Sequence, residues 1–580
     1  MLDSGKIVMF HGHWDNIAGV AQELGSLAGD LAHLYGLAVE RWGDDAENHI
    51  VGEYCAAIAE PEGLTLRLSR SPLRAPPLHY FHDHDLAAAA SLPRALFAAG
   101  VEQRLNENRV ADSAMVHFVD PEVSWFEGIS RVPLGSIVEL RPGQLRQLRE
   151  VYDLFSLPDA GKVSTADTIA RAGELLDEGI RACMSGFEKP ASTLSAGLDS
   201  PQVAVRALAA LPPGQRLPTF TFHPEAGFDG RDEPYCMGDE RPFVEAFAAM
   251  HPGLDPHFTA NEGYEHDHRW NEFFHLMSGA PSGLCNMYVF HGLLAGASAE
   301  RCDLLLLAEW GNYTFSDTGD WGYVEYFLTG RWRQLWRMLT RNKKDSRSVI
   351  ARFLLRSVLP LFPDPVWRLA RRIAKPNDQP LLELLRPLTR EYRISSGANR
   401  RVAEAGPELE RYQPRNRRHA QKMLFATDDA EGSEVYQAFE LMYGVALRDP
   451  TAYRPFVEFC FGLPVEMFMR DGESRWLAKE MAKGIMPDEQ RNNRRNGRWD
   501  ADWHLRMGRR RKDYIAELDR LSDNERVAAT IDIPRLRAAL EDWPDETPID
   551  PQVVYPRNLA IPRGLLTARF INYIEGRNET

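Results

Sequence analysis

Apolar and polar positions alternate in short runs through residues 1–150, as in Ile7-Val-Met-Phe10 and Leu64-Thr-Leu-Arg-Leu68. Turn residues separate these runs, and the period of two predicts a mostly stranded region with a few helices. Around 151–165 the chain loosens into Leu157-Pro-Asp-Ala-Gly-Lys-Val-Ser164, the composition of a linker. Beyond Thr165 the period changes. An amphipathic helix from Thr168 to about Met184 precedes an extended piece, Ala191–Leu194, and a glycine-bearing turn. A second helix, Gln202 to about Leu211, then leads into the apolar run Leu217-Pro-Thr-Phe-Thr-Phe222. Strand, helix, strand in that order predicts a βαβ unit with a parallel sheet. The run Asp303-Leu-Leu-Leu-Leu-Ala308 is apolar from Leu304 onward, as a strand buried on both faces would be.

Composition adds limits. The 580 residues allow two to four domains of ordinary size. A net charge of −15 excludes nucleic acid as the main partner, because phosphate binding needs a basic face. Six scattered cysteines without a C-x-x-C pair form neither a disulfide framework nor a zinc pattern. No signal segment and no run of about 18 apolar residues is present, so a cytoplasmic chain without a membrane partner is expected. One stretch runs against the acidic average: residues 329–375 interleave many Arg and Lys with Trp332, Trp336 and Trp367. A solvated helix packed by its apolar side is the simpler account, a peptide- or membrane-facing surface the alternative.

The chemistry concentrates in Leu194-Ser195-Ala196-Gly197-Leu198-Asp199-Ser200, between a predicted strand and a predicted helix. Backbone N–H groups of such a turn, together with the helix N-terminus, attract an anion. Ser195 and Ser200 add hydroxyl donors, and Asp199 is the candidate ligand for a magnesium ion bridging phosphate oxygens. No Gly-Lys-Ser/Thr closes the loop, so it is not a Walker A sequence. A plain helix N-cap is the alternative reading. Two compact sets of metal-capable side chains, His79–Asp85 and Glu265–His268, fall in loop-like sequence and are expected in solvated turns.

In its strand–turn–helix setting the Ser195–Ser200 segment resembles the pyrophosphate loop of N-type ATP pyrophosphatases, usually S-G-G-x-D-S. Further segments extend the resemblance to the class B asparagine synthetase superfamily over nearly the whole chain. Gly52-Glu-Tyr54, Leu68-Ser-Arg-Ser-Pro-Leu-Arg74, Pro77-Leu-His-Tyr80 and Trp125–Ser136 resemble its N-terminal glutamine amidotransferase motifs. Ala308-Glu-Trp-Gly-Asn-Tyr-Thr-Phe-Ser316 stands where asparagine synthetases have G-E-G-x-D-E, and its Gly311-Asn312-x-Thr314-x-Ser316 core resembles that of the lasso-peptide cyclases. Tyr443–Thr451 with Phe456–Cys460 also resembles those cyclases, with Tyr453 where they have an aspartate, and Gly472–Pro487 resembles the superfamily's K-x-x-L-R … L-P stretch.

The resemblance implies an Ntn-type amidotransferase-like αββα sandwich at 1–155. At 165–580 it implies a doubly wound parallel-sheet ATP-pyrophosphatase domain with a helical extension. It implies ATP and Mg²⁺ as cofactors, held by Leu194–Ser200, Gly311 and Asn312, with Asp199 on the metal. Glu309 takes the position of the acid or tyrosine that orients or deprotonates the attacking amine, and Arg475 aligns with a lysine that stabilises the reacting acyl phosphate. Where a working glutaminase of this type has cysteine at position 2, this chain has Leu2, which has no nucleophilic atom, so a degenerate amidotransferase half is expected. The amine then comes with the substrate. The implied reaction is macrolactam closure in a ribosomal precursor peptide, with a leader peptidase and a leader-recognition protein as partners. An ammonia-dependent asparagine synthetase, a β-lactam-forming ligase and a non-catalytic scaffold are the alternatives.

Overall fold

The computed structural model describes all residues except 1, 3, 28, 117–119, 162, 343–344, 377, 406–412, 426–431 and 579–580. Its N-terminal part holds two antiparallel sheets. The first runs in the order β1 (Ile7–Trp14), β2 (Gly52–Glu60), β3 (Thr65–Arg70), β7 (Ser136–Leu140), β8 (Gln147–Glu150). The second sets β4 (His79–His82) between β5 (Ala87–Ala90) and β6 (Ile129–Arg131). Alternation along β2 sorts its side chains to two cores. Tyr54, Ala56 and Ile58 pack under helix α1 (Leu31–Trp42), while Cys55 and Ala57 meet Leu78, Tyr80 and Val132 between the sheets. This is the expected layered sandwich.

The C-terminal part begins with α2 (Thr165–Met184) and is centred on a parallel sheet of order β12-β10-β9-β13-β14. These strands are β9 (Pro190–Thr193), β10 (Leu217–Phe222), β12 (Leu254–Thr259), β13 (Leu304–Leu306) and β14 (Ala446–Arg448), and β11 (Cys236–Met237) lies outside that sheet. The predicted βαβ unit is β9, α3 (Asp199–Ala210) and β10. α4 (Arg241–Met250), α5 (Tyr288–Ala299) and α6 (Trp332–Arg341) follow along the chain. Leu304 and Leu306 face one core, Leu305 and Leu307 the other, as an all-apolar strand requires. Three further helices matter for the site: α7 (Gly432–Tyr443), α8 (Trp476–Met481) and α9 (Ile561–Ile574). Strand order reverses at β9: the chain moves outward through β10 and β12, then returns to place β13 on the other side of β9. In open parallel sheets ligands bind at such a switch point, beyond the carboxyl ends of the strands.

Buried charges join the two parts. Arg448, at the end of β14, reaches Asp15 (2.8 Å) and Glu53 (3.4 Å) of the N-terminal sheet. Arg74 bridges Glu53 (3.6 Å) and Asp449 (3.8 Å). On α7, Glu434 lies between Arg131 (3.1 Å) and His79 (3.4 Å), and the cationic surroundings hold its carboxyl down at about 2 against the upward push of burial. Arg70 donates to the carbonyls of Ala75 (3.1 Å), Pro76 (3.0 Å) and Val132 (2.8 Å), and to Ser433 Oγ (3.2 Å).

Several expectations need correction. His79 lies on β4 and is 1% exposed, because its ring completes the buried Glu434 pair. His266 is buried too, and Asp267 pairs with Arg510 and Arg569, since the C-terminal helices cover this segment. Neither of these histidines is in a solvated turn. In the basic stretch, α6 buries Leu335, Met338 and Leu339 as expected, yet leaves Trp332 and Trp336 more than half exposed.

Removing one member of a buried ionic network leaves the others uncompensated. Arg448→Ala is expected to cost about 3–5 kcal/mol, read as a lower denaturant midpoint at unchanged slope. Arg149→Ala, on a surface pair, is expected to cost less than about 1 kcal/mol.

Candidate functional site

Two loops leave the sheet at the switch point, one after β9 and one after β13. In the first, Leu194 is buried, donating its N–H to Phe220 O (3.0 Å) and accepting from Thr221 Oγ1 (2.7 Å). Ser200 Oγ turns back to accept from Ser195 N–H (3.0 Å) and contacts Ser195 Oγ (2.9 Å). Ser195 Oγ accepts from Gly197 N–H (3.2 Å), and Leu198 is buried with its carbonyl bound to Gln202 Nε2 (2.9 Å). These bonds close the loop over the first turn of α3. Ala196 N–H donates to the carboxyl of Glu240 (2.6 Å), at the start of α4. An acid therefore already sits on a loop donor, the position a phosphate oxygen would take. Burial lifts Glu240 to about 7, partly opposed by the Ala196 bond.

Asp199 is 8% exposed and its carboxyl is raised by burial, with Arg475 and Ser316 opposing. Among the described residues its Oδ1 is buried without a hydrogen-bond partner. A buried acid oxygen at the mouth of a phosphate-type loop fits a magnesium ion, which is commonly held by one or two carboxylates plus substrate phosphates.

The second loop is a short helical turn, Glu309–Tyr313. Gly311 packs on Asp199: a Cβ there would stand 2.7 Å from the carboxyl carbon. Asn312 is exposed and accepts from Arg475 Nη2 (2.8 Å), so its oxygen is engaged by a cation. Arg475 reaches it from a left-handed backbone position (φ 58°) that opens α8. Thr314 Oγ1 donates to Trp310 O (2.8 Å) and Ser316 N–H to Gly311 O (2.9 Å), tying the turn together. Asp449 accepts from Trp310 N–H (3.0 Å) and from Thr451 N–H (2.8 Å) and Oγ1 (2.6 Å). Its role is to hold the Glu309 turn in place. Glu309 accepts a hydrogen bond from the hydroxyl of Tyr436 on α7.

The structure thus brings Leu194–Ser200, Gly311, Asn312 and Arg475 to one locus, with Glu309 on the same turn as Gly311 and Asn312. Sequence reasoning missed Tyr436, Glu240 and Asp317. Tyr436 lies 127 residues from its partner, and no local pattern marks it. Glu240 follows Asp239 in a segment that carries no motif. Asp317, buried beside Gly319 N–H (2.6 Å), is lifted by burial to about 7.

A phosphate-type loop on a parallel sheet, joined to an antiparallel sandwich, is the two-part build of this chain. Residues 171–555 match the asparagine synthase family and residues 34–152 the glutamine amidotransferase domain. The chain belongs to the asparagine synthase family. A search of curated proteins finds no match. Among solved structures, glutamine phosphoribosylpyrophosphate (PRPP) amidotransferase from B. subtilis, complexed with ADP and GMP, is similar at 12% identity and a TM-score of 0.19, over 36% of this chain and 45% of that one. A structure of the allosteric regulatory enzyme of purine biosynthesis is similar at 13% and 0.19, over 40% and 47%. The chain spans less than half the length of either.

Gly311→Ala drives a methyl group into the Asp199 carboxyl, and ATP·Mg²⁺ affinity by titration calorimetry is expected to fall roughly tenfold or more. Asp317 binds its proton more tightly folded than unfolded, so its contribution to stability is present near pH 4 and is lost as pH rises toward 7. Asp317→Asn is therefore expected to match the parent near pH 4 and to exceed it at pH 8 by roughly 1–3 kcal/mol in denaturant unfolding.

Proposed function

We propose that the protein closes a macrolactam in a ribosomal precursor peptide, as a lasso-peptide cyclase does, with ATP as co-substrate. The observation that carries this reading is the Glu309–Tyr436 pair on the turn that also packs Gly311 against Asp199. It sets a carboxylate beside the nucleotide loop, where an attacking amine must lose a proton. The Gly311-Asn312-x-Thr314-x-Ser316 core favours a cyclase over an asparagine synthetase, because Asn312 engages Arg475 where the synthetases place a metal-binding aspartate.

In this mechanism a side-chain carboxylate of the peptide attacks the α-phosphorus of ATP and pyrophosphate leaves. Ser195, Ser200, the start of α3 and, with Glu240 displaced, the Ala196 N–H bind the departing phosphates. Asp199 would hold Mg²⁺, which neutralises phosphate charge when bound. Arg475, fixed by Asn312, supplies positive charge near the reacting phosphoryl group. The peptide's own amine then adds to the acyl carbon, Glu309 takes the amine proton, and AMP departs. Tyr436 orients the Glu309 carboxylate. The N-terminal half carries no amidotransferase chemistry in this reading: Cys55, its one cysteine, is buried with its thiol pushed up to about 12. A leader peptidase and a leader-recognition protein would supply the trimmed peptide.

ATP–pyrophosphate exchange tests this directly, with core peptide, free aspartate and no acyl donor compared. Exchange driven by peptide alone, and lost in Asp199→Ala, is expected. Exchange driven by aspartate would replace the reading with a small-molecule amide synthetase, and absence of ATP binding would leave a scaffold. Glu309→Gln is expected to keep exchange while amide formation falls about 10²–10⁴-fold.

A further inference from the structure

A cavity of about 320 Å³ lies between the two halves, lined by Tyr436, whose hydroxyl binds the Glu309 carboxylate, and by Trp310, the residue after Glu309. The N-terminal part contributes His11 and His13 from β1, Glu53 from β2 and Arg74. The ligase part contributes Tyr436 and Glu440 from α7, with Met287 and Leu447 as apolar wall. Its size falls at the low end of small-ligand sites, roughly 300–1,000 Å³, so it suits a single residue rather than a folded partner.

Three observations tie this cavity to the chemistry. Tyr436 belongs to both places: it lines the cavity and its hydroxyl binds Glu309. Arg74 stacks over the Tyr436 ring at 5.1 Å while pairing with Glu53 and Asp449, so the shared wall is fixed from the N-terminal side. The lining also suits an amine. Glu440 accepts from Leu447 N–H (2.8 Å), and its carboxyl is lifted by burial to about 7. Burial lowers His13 to about 4 and also lowers His11, whose Nε2 lies 3.3 Å from Gln437 Nε2. Burial pushes Glu53 up, but Arg74 and Arg448 hold it ionised.

We propose that this interdomain cavity binds the amine-bearing residue of the acceptor, its side chain against Met287 and Leu447 and its nitrogen directed past Tyr436 toward Glu309. The inference rests on the ligase reading and extends it: the N-terminal half supplies one wall of the acceptor site. The step served is balanced. The amine nitrogen bonds to the acyl carbon, the bond from that carbon to the AMP oxygen breaks, AMP leaves with the electron pair, and the N–H proton passes to Glu309.

The test uses the full chain and a peptide acyl donor that supports exchange. The adenylate is intercepted in parallel by hydroxylamine, which needs no side-chain pocket, and by leucinamide, whose side chain fills one. Met287→Trp and His11→Trp fill the cavity from opposite halves. In both, KM for leucinamide is expected to rise roughly tenfold or more, with exchange and hydroxamate formation retained and serving as the folding control. Leucinamide kinetics within about twofold of the parent in both variants, or an equal loss of hydroxamate, would overturn the proposal. Calorimetry with leucinamide alone separates the two readings. Binding that both variants lose, in a protein without exchange, would keep the cavity assignment and sink the ligase. No binding and no exchange would sink both.

Discussion

Arg448 and Arg74 lie where two separately built sheets meet, and the site depends on how their charges are satisfied. Each is almost fully buried, which is costly for a cation unless acids surround it. Asp15 and Glu53 come from one half, Asp449 from the other, so neither half alone completes the set. Asp449 Oδ2, the oxygen that faces Arg74, also accepts from Trp310 N–H, which sets the Glu309 turn. A buried ion pair is often a poor source of net stability against an apolar replacement, but it is exacting about geometry. Here that geometry fixes how the sandwich sits on the parallel sheet.

Helix α7 transmits the same constraint. Glu434 anchors it to Arg131 and His79 and Ser433 to Arg70, while Tyr436, within one turn of both, meets Glu309, and Glu440 faces the cavity. With both ends of this arrangement held, Glu309 and the nucleotide loop stay in register. Preorganisation of this kind serves the proposed two-step acyl transfer, in which an adenylate would have to meet an oriented amine before it met water. The N-terminal half thereby has a physical role that requires no nucleophile of its own.

Much of this was legible along the chain. The apolar run at 304–308 led to a strand buried on both faces, the Ser195–Ser200 loop lay between strand and helix, and the run at 217–222 coincides with β10. Local reading failed where the partner is distant in sequence. His79 and His266 looked like loop residues because nothing nearby shows that Glu434 or the C-terminal helices cover them. Arg475 could be read as a surface arginine until its contact with Asn312, 163 residues away, was seen.

By itself the sequence determined the elements and the chemistry available to them: strand periodicity, the phosphate-type loop, and Asn312 in place of an acid. These depend on residues a few positions apart, where backbone sterics and hydrogen bonding act directly. The tertiary structure alone decided that Tyr436 meets Glu309, that Glu240 sits on the loop's Ala196 N–H, and that a cavity remains between the halves. The reason is burial. A carboxyl, a hydroxyl or an arginine takes its partner from whatever the fold brings within about 3 Å, and along this chain those partners lie dozens to hundreds of residues apart.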